Sequence, residues 1–279
     1  MAVHELNSTD YATMEKELEK ELPLSICVFN HFKLLRRGLL TDKAVLVDSW
    51  PNFSAVVIVD SKRKKTLPYA VAFCKQPNFC QSLEILLRHA FGVLASPLFI
   101  VGCTSAVMDA LVNSFRDAET SPVKRRIDGV IFTLPPDKIV PLETPDGFRI
   151  TKLKQSQVEN VHNSWEYKEN YDRYADLRYR IRYLISNFHN VCIETEDGRP
   201  VAWELQQEYG GIGMLYVEPE YRRANLGSVV TRTLAGKLVK DGQSVFAFAE
   251  DTNETSINFH KKNGYVLLPF KPSIAIYNL

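Results

Sequence analysis

The amino-acid sequence predicts an α/β protein, with a mixed α+β sheet, in which two domains follow one another along the chain. The chain has 279 residues, more than a single domain usually holds. Short apolar runs of strand length alternate with segments of helical periodicity in both halves. Between the halves, prolines and glycines cluster from Pro135 to Gly147. We place the boundary there and predict domains at residues 1–140 and 144–279.

The amino-terminal half is predicted to alternate between strands and helices. A charged, helix-like segment ends near Leu24, and apolar runs beyond it predict strands. Apolar residues that recur at helical spacing, as at Leu83, Leu86 and Leu87, predict helices. The predicted strands are 25–29, 43–48, 54–60, 68–74, 98–102 and 129–134, and the predicted helices are 79–91 and 106–115.

The carboxyl-terminal half predicts a strand, two helices, three antiparallel strands, a helix, a strand, a short helix and two closing strands. The Asp197-Gly198 dipeptide between two apolar runs predicts a tight hairpin. The second helix has one apolar face, and we expect its arginines, on the other face, to be solvated. They are Arg173, Arg178, Arg180 and Arg182. The predicted strands are 148–153, 191–195, 200–206, 212–217, 244–249, 265–268 and 274–277, and the helices are 155–165, 174–188, 226–239 and 255–262.

Composition and charge narrow the classes of function. With 45% hydrophobic and 24% charged residues, and no apolar run of about 20 residues, the chain is expected to be soluble and globular without a membrane span. A net charge of +1 removes the electrostatic case for a nucleic-acid partner. The five cysteines lack the spacing of zinc ligands, so we expect reduced thiols and no metal site.

The amino terminus predicts no targeting segment. Residues 1–21 lack the basic start and apolar stretch of a secretory signal, and their many acidic residues do not fit a mitochondrial presequence. We therefore expect a cytoplasmic protein by default.

A loop at residues 218–228, between a predicted strand and a predicted helix, carries the first functional motif. It resembles the pyrophosphate-binding signature R/Q-x-x-G-x-G/A of the GNAT superfamily, with matches at Arg222, Asn225 and Gly227. Unpaired N–H groups at a helix start, aided by the helix dipole, bind phosphate without an excess of lysine. Asn225 replaces the usual glycine, and asparagine tolerates a left-handed backbone. The alternative is an ordinary turn with a basic helix start. The residues of the predicted phosphate loop are Arg222, Arg223, Ala224, Asn225, Leu226, Gly227 and Ser228.

The GNAT resemblance implies further coenzyme A contacts. The strand before the loop splays from its neighbour in this superfamily, so that Leu215, Tyr216 and Val217 would pair with the pantetheine amides. Residues 253–265 resemble the closing GNAT pattern N-x-x-A-x-x-F/L-Y-x-x-x-G-F/Y. Asn253 would contact the coenzyme arm, and His260 falls on the tyrosine that protonates the departing thiolate. Histidine can act as a general acid near neutral pH. The alternative for His260 is a partly exposed helix residue.

At closer range the chain resembles the glycine N-acyltransferase family over nearly its whole length. The phrases that carry the resemblance are LEKELP (18–23), VDSWPNF (47–53), GRPVAWEL (198–205) and PEYR (219–222). The resemblance implies tandem GNAT-like domains: a degenerate amino-terminal domain, and a carboxyl-terminal domain with the acyl-CoA-binding GNAT fold. It also implies acyl-CoA as co-substrate, with no permanently bound cofactor, and a mitochondrial location as the alternative to the cytoplasm.

The catalytic base departs from the family pattern. Gly211 stands at the position of the family glutamate, so no carboxylate is present there. An amine nucleophile must lose a proton before or during attack, and some base or water chain has to accept it. Glu208, three residues earlier, is our candidate for the base. Glu204 and Glu250, near strand ends, are the other candidates.

These motifs suggest three hypotheses about the function. The favoured one is transfer of an acyl group from acyl-CoA to a small amine acceptor, such as glycine or another amino acid, by direct attack in a ternary complex. The second is acetylation of a protein or peptide amine, which requires an open acceptor groove. The third is a non-catalytic coenzyme-A-binding protein, which the absence of a carboxylate at Gly211 would favour.

Overall fold

A computed structural model describes residues 2–62, 67–115 and 120–279. The chain forms two compact units. The first unit comprises Met1–Ile131, Ala249–Thr252 and Leu268–Leu279, and the second comprises Phe132–Phe248 and Asn253–Leu267. The domain boundary predicted from the prolines and glycines stays a prediction, since each unit draws on segments from both halves of the chain.

The first unit is a seven-stranded mixed sheet with helices, in the strand order β1-β2-β3-β4-β5-β13-β6. Strands β4 and β5 are parallel, and the other neighbours are antiparallel. Its strands are β1 (His4–Glu5), β2 (Lys43–Val47), β3 (Ala55–Asp60), β4 (Tyr69–Cys74), β5 (Leu98–Thr104), β6 (Val123–Leu134), whose end lies in the second unit, and β13 (Pro272–Tyr277). Its helices are α1 (Tyr11–Lys20), α2 (Ile26–Arg36), α3 (Cys80–Leu94) and α4 (Ser105–Asn113).

Helix α2 corrects the strand predicted at residues 25–29. The segment packs against β4 and β5, and it is buried at nearly every position from Ile26 to Leu34. A helix that is buried on almost all sides has no polar face, so its sequence shows a continuous apolar run rather than helical periodicity. Such a short run does not distinguish a strand from a helix.

The last strand of the chain lies in the first unit, which corrects the expectation that it closes the sheet of the carboxyl-terminal domain. β13 pairs antiparallel with β5, from Pro272↔Thr104 to Tyr277↔Leu98, and with β6. Strand β6 is also longer than predicted and begins at Val123. Pairing between distant segments leaves no periodic signal in the sequence.

The second unit is built on the strand order β11-β10-β9-β8-β7, and β12 pairs with the end of β6. Strands β10 and β11 are parallel, and β7 to β10 form antiparallel neighbours. Its strands are β7 (Phe148–Thr151), β8 (Asn190–Thr195), β9 (Pro200–Gln206), β10 (Ile212–Val217), β11 (Val245–Glu250) and β12 (Val266–Leu267). Its helices are α5 (Val158–Ser164), α6 (Lys168–Asp172), α7 (Leu177–Asn187), α8 (Leu226–Lys240) and α9 (Glu254–Lys262).

Several elements of this unit agree with the sequence. Strands β9 and β10 have the predicted bounds, and Gly198 turns the predicted hairpin with a φ of 87°. Helix α8 packs against β8, β9 and β10 with its apolar face. The mixed α/β class is confirmed.

Arg180 corrects the prediction that the arginines of α7 are all solvated. Arg173 and Arg182 are exposed and Arg178 is half-buried, but the side chain of Arg180 is completely buried. Among the described residues, no helix is long and apolar enough to cross a membrane, and no His, Cys, Asp and Glu side chains group in a way that could hold a metal ion.

Candidate functional site

Strand β10 has one edge that its neighbour leaves unpaired over most of its length. Its antiparallel pairing with β9 runs from Ile212↔Gln206 to Val217↔Ala202. Its parallel pairing with β11, within the described residues, is limited to Ile212↔Ala247. The backbone of residues 213–217 on that side can therefore pair with an extended ligand as with an added strand. Leu215, Tyr216 and Val217 lie on this stretch.

A β-bulge interrupts β10 at the start of the open edge. The pairing with β9 shifts between Gly213 and Tyr216, and Met214 has a φ of 55°. A bulge changes the direction of local backbone groups and is common next to active sites. The bulge has no signal in the sequence, because β-propensity does not reveal an extra residue in a strand.

The predicted phosphate loop follows β10 directly. A short 3₁₀ turn at Pro219–Tyr221 leads into two left-handed residues, Arg223 with a φ of 69° and Asn225 with a φ of 60°. Asn225 immediately precedes α8, so the left-handed backbone that asparagine tolerates is the one observed. Left-handed residues beside a helix start turn successive N–H groups toward one point, and the first N–H groups of α8 have no acceptor within the helix. The loop therefore presents donors suited to an anion.

Gly227 is the second residue of α8 and lies close to side chains of two neighbouring elements. A Cβ atom at this position would lie 3.2 Å from Cε2 of Phe259 and 3.4 Å from Cγ2 of Val217. The glycine thus allows the start of α8 to pack closely against β10 and α9.

Arg222 links the loop to the end of β10. Its Nε donates a hydrogen bond of 3.1 Å to the carbonyl oxygen of Val217, and its guanidinium carbon lies 5.9 Å from the ring centroid of Tyr216. Arg222 and Arg223 are exposed, Ala224 is half-buried, and Leu226 and Ser228 are buried. Two cationic side chains thus accompany the backbone donors of the loop.

His260 is enclosed by three aromatic rings. Its ring stacks on Phe132 at 5.3 Å between centroids and meets Phe259 and Tyr265 edge-on at 5.5 and 5.0 Å. Only 5% of the residue is exposed, so the alternative of a partly exposed helix histidine does not apply. Nδ1 lies 2.7 Å from the carbonyl oxygen of Ser256, which can only accept, so Nδ1 carries the proton.

This environment keeps His260 neutral. Burial lowers the pKa of the imidazole, and the hydrogen bond to Ser256 offsets that effect in part. With the proton on Nδ1, Nε2 has a lone pair, and it is buried without a hydrogen-bond partner among the described residues. This geometry does not favour donation of a proton to a thiolate, and the general-acid role stays a prediction.

Asn253 precedes α9 as its N-cap and contacts the turn before α6. Its Oδ1 accepts a hydrogen bond of 2.9 Å from the backbone nitrogen of Ser256, and its Nδ2 lies 3.3 Å from the hydroxyl of Tyr167. Trp165 meets Tyr167 at 5.9 Å and Tyr171 at 6.4 Å between ring centroids. We call Trp165, Tyr167 and Tyr171 the aromatic segment.

The space beside Gly211 is filled by two aromatic rings. A Cβ atom on Gly211 would lie 2.7 Å from Cε2 of Tyr209 and 2.9 Å from Cε2 of Phe246. The two rings are 6.1 Å apart between centroids. A glutamate at position 211 could not fit this arrangement of the two rings.

Glu208 is held in a buried ion pair. Nη1 of Arg180 donates to Oε2 of Glu208 at 2.9 Å, and Nη2 of Arg180 donates to Oε1 of Gln207 at 3.1 Å. The side chains of Arg180 and Glu208 are 1% and 5% exposed. The Arg180 guanidinium also lies 5.7 Å from the ring centroid of Tyr171. Direct contacts therefore run from Asn253 through the aromatic segment to Arg180 and Glu208.

The other two candidate bases have different surroundings. Glu204 is 1% exposed on the face of β9 that α8 covers, where Thr231 donates to it. Burial raises the pKa of Glu204 to about 8, so this carboxyl is protonated at neutral pH and is a poor base. Glu250 is half-buried at the end of β11 and belongs to the first unit.

Comparison with known proteins supports the class of fold. Residues 4–88 match the family profile described as aralkyl acyl-CoA:amino acid N-acyltransferase, and residues 191–271 match the profile of FR47-like proteins. A solved structure from Drosophila superposes with a TM-score of 0.74 at 17% identity, covering 99% of this chain and 98% of the other. A tandem GNAT protein from the clavulanic acid biosynthesis pathway gives a TM-score of 0.51 at 12% identity, covering 99% and 97%.

The fold defines a tandem GNAT-like protein whose carboxyl-terminal part has the GNAT fold. Glycine N-acyltransferase of Bos taurus is 25% identical over 92% of each chain. The enzyme of Homo sapiens is 25% identical over 86% of this chain and 87% of its own. The resemblance to the glycine N-acyltransferase-like family is thereby confirmed.

Proposed function

We propose that this protein transfers an acyl group from acyl-CoA to the amine of a small acceptor, such as glycine or another amino acid, by direct attack in a ternary complex. The two glycine N-acyltransferases that resemble this chain support N-acyl transfer, and their names suggest glycine as the acceptor. The observation that carries it is the open edge of β10, which runs into a loop with two left-handed residues before α8.

Coenzyme A fits this arrangement in two parts. The amides of its pantetheine arm would pair with the open edge of β10 at Leu215, Tyr216 and Val217. Its pyrophosphate would accept hydrogen bonds from the backbone amides of the loop, next to the positive end of α8. Asn253 would border the arm from the start of α9. The amides of the proposed pyrophosphate site are those of Arg223, Ala224, Asn225, Leu226, Gly227 and Ser228.

The proposed reaction is a single displacement at the thioester carbonyl. The acceptor nitrogen attacks the carbonyl carbon, the new C–N bond forms, and the C–S bond breaks as coenzyme A leaves as a thiolate. Glu208 accepts the proton that the amine gives up. Backbone N–H groups at the bulge around Met214 would stabilise the negative charge that develops on the carbonyl oxygen.

The leaving group needs little help in this scheme. A thiol with a pKa of about 8.5 is a fair leaving group as a thiolate, so a general acid raises the rate without being essential. His260 would supply that proton only if its Nε2 became protonated within its aromatic enclosure, which burial opposes.

A second function, coenzyme A binding without catalysis, is favoured by one observation. The side-chain space at Gly211, where the family has its glutamate, is filled by Tyr209 and Phe246. A protein that had lost its base would keep the coenzyme site and release no thiol.

The experiment is a thiol-release assay of several acyl-CoAs against a panel of amines, with the acylated product identified by mass spectrometry. We expect release that depends on the amine and is fastest with amino acids. Tight coenzyme A binding by calorimetry, with no thiol release for any pair, would reject the enzyme and support the second function. Faster acylation of peptides than of any small amine would show that the acceptor is a protein or peptide amine and not a small molecule.

A further inference from the structure

Gln207 is a buried glutamine whose side chain has an unused donor. It directly follows β9, and only 4% of the residue is exposed. Nη2 of Arg180 donates to its Oε1 at 3.1 Å. Because a guanidinium can only donate, the atom that it contacts must be the carbonyl oxygen of the amide, which fixes the orientation of the amide. Nε2 is then the other end of the amide, and it has no hydrogen-bond partner among the described residues.

The space next to this donor lies at Gly213, the first residue of the open edge of β10. A Cβ atom on Gly213 would lie 3.8 Å from Nε2 and 3.8 Å from Cγ of Gln207. Within the described part of the chain, and apart from the sequence neighbours of Gly213, no other heavy atom comes within 4 Å of that position. Ile212 is buried, whereas β10 is only half-buried from Gly213 onward. The missing side chain therefore leaves an accessible space beside a buried donor.

This space lies on the face of the sheet opposite to α8. Successive side chains of a strand alternate between the two faces, and directly paired residues share a face. Glu204 lies on the α8 face, because Thr231 of α8 donates to it. Leu205 and its partner Gly213 therefore lie on the other face.

The proposed reaction leaves this face to the acceptor. A pantetheine arm that pairs with the open edge of β10 lies in the plane of the sheet, so the amine has to approach from one of the two faces. Helix α8 packs against β9 and β10 on one of them. Nε2 of Gln207 lies on the other, next to Gly213, and the bulge at Met214 follows directly. The donor is thus placed to bind an oxygen of the acceptor.

A carboxylate is the group that satisfies this donor best. The amide nitrogen carries two protons and cannot accept, and a buried donor without a partner costs free energy. A carboxylate only accepts, and a charged acceptor makes the stronger hydrogen bond. In an amino acid such as glycine, one carbon separates the carboxylate from the amine. A carboxylate oxygen at Nε2 of Gln207 therefore keeps the amine close to the bulge.

We propose that Gln207 is a specificity-determining residue of the acceptor site, and that its Nε2 donates a hydrogen bond to the carboxylate of an amino-acid acceptor. This inference rests on the proposed acyl transfer and names its acceptor class more narrowly. Arg180 orients the amide, and Gly213 leaves room for the carboxylate. An amine without a carboxylate leaves the donor buried and unpaired, so the site selects against it.

Steady-state kinetics with two acceptors test this role. They are the amino acid that the parent acylates fastest and an amine of the same length without a carboxylate, which is propylamine in the case of glycine. Gln207→Met should lower kcat/KM for the amino acid by about 10- to 100-fold, as expected for loss of a hydrogen bond to a charged group. It should leave kcat/KM for the amine, and the KM for acyl-CoA, within about twofold. The ratio of the two kcat/KM values, compared between variants, cancels the difference in basicity of the acceptors.

Two further variants protect the test against effects on folding. Gln207→Glu keeps an oxygen for Nη2 of Arg180 and replaces the donor by an acceptor, so the loss with the amino acid should be at least as large. Gln206→Met is the matched control. Gln206 is a buried glutamine on the α8 face, and its Nε2 donates to Oε1 of Gln243 at 2.6 Å. Its replacement should lower the melting temperature and leave the ratio of the two kcat/KM values unchanged.

The outcomes separate the two levels of the proposal. Equal losses for both acceptors in the Gln207 variants would show that the donor serves the thioester or the fold, and would overturn the specificity role. Gln207 variants with the parent's ratio and rates would also overturn it, while amine acylation stands. A parent that acylates both acceptors equally well would do the same. A parent that acylates no amine would overturn the proposed function and the role of Gln207 with it.

Discussion

Glu204→Gln should make the stability of the second unit much less dependent on pH. Glu204 is 1% exposed between β9 and α8, and its Oε2 has no hydrogen-bond partner among the described residues. Burial raises the pKa of its carboxyl to about 8, from an ordinary value of 4.5. The native protein therefore holds a proton that the unfolded chain releases above pH 4.5.

The direction and size of the effect follow from this difference in pKa. A group whose pKa is raised on folding contributes stability that is fully present below the unfolded pKa and is lost as the pH rises through the folded pKa. The window is pH 4.5 to about 8. At about 1.4 kcal/mol per pKa unit, the free energy of unfolding should fall by an amount on the order of 3–5 kcal/mol across it. Glutamine keeps the shape of the protonated acid and has no proton to lose.

Urea unfolding, followed by tryptophan fluorescence at pH 5.5, 7 and 8.5, measures the effect. The free energy of unfolding of Glu204→Gln should exceed that of the parent by a margin that grows with pH, while the exposed control Glu196→Gln should follow the parent. A margin that is the same at all three pH values would refute a buried, protonated Glu204. Acyl transfer should persist in Glu204→Gln at pH 7, since this carboxyl is covered by α8.

Three further predictions concern the coenzyme and its thiol. Asn225→Val should weaken coenzyme A binding in calorimetry by at least tenfold, because a β-branched residue resists a φ of 60°, whereas Asn225→Gly should bind like the parent. His260→Phe tests the predicted general acid: a loss of ~100-fold in turnover that His260→Tyr restores would support the role, and turnover within a few-fold of the parent, as the enclosure of Nε2 favours, would reject it. Calorimetry should give one coenzyme A per chain, because the loop at residues 75–79, between β4 and α3, contains no left-handed residue; two would contradict a degenerate first unit.

The parts of the fold that were predictable have local signals. Strand β9 begins with an apolar run, at residues 200–203, and Asp197-Gly198 marks the hairpin before it, so its bounds were predicted correctly. The loop before α8 could be predicted because its motif residues are close together in the sequence, from Arg222 to Gly227. The asparagine at position 225 also predicted the left-handed backbone that is observed there.

The parts that were missed depend on contacts between distant residues. Arg180 has the sequence context of a surface residue, and only the turn at Gln207 and Glu208 makes it a buried one. Gly227 packs closely against Phe259, which lies more than thirty positions later along the chain. The sequence of helix α2 shows no helical periodicity, because the helix packs against β4, β5 and α1 and is buried on almost all sides.

Gly211 shows why the motif alone could not assign the base. Read as a sequence, a glycine in place of a glutamate is a loss, and it favours a protein without catalysis. In the structure, the glycine is required by two rings, because any side chain would come within 3 Å of Tyr209 and Phe246. The same turn also carries a carboxylate, Glu208, that a buried arginine holds in place. The packing at Gly211 therefore explains only the missing carboxylate at that position, and the proposed base, Glu208, has to be tested by its own substitution.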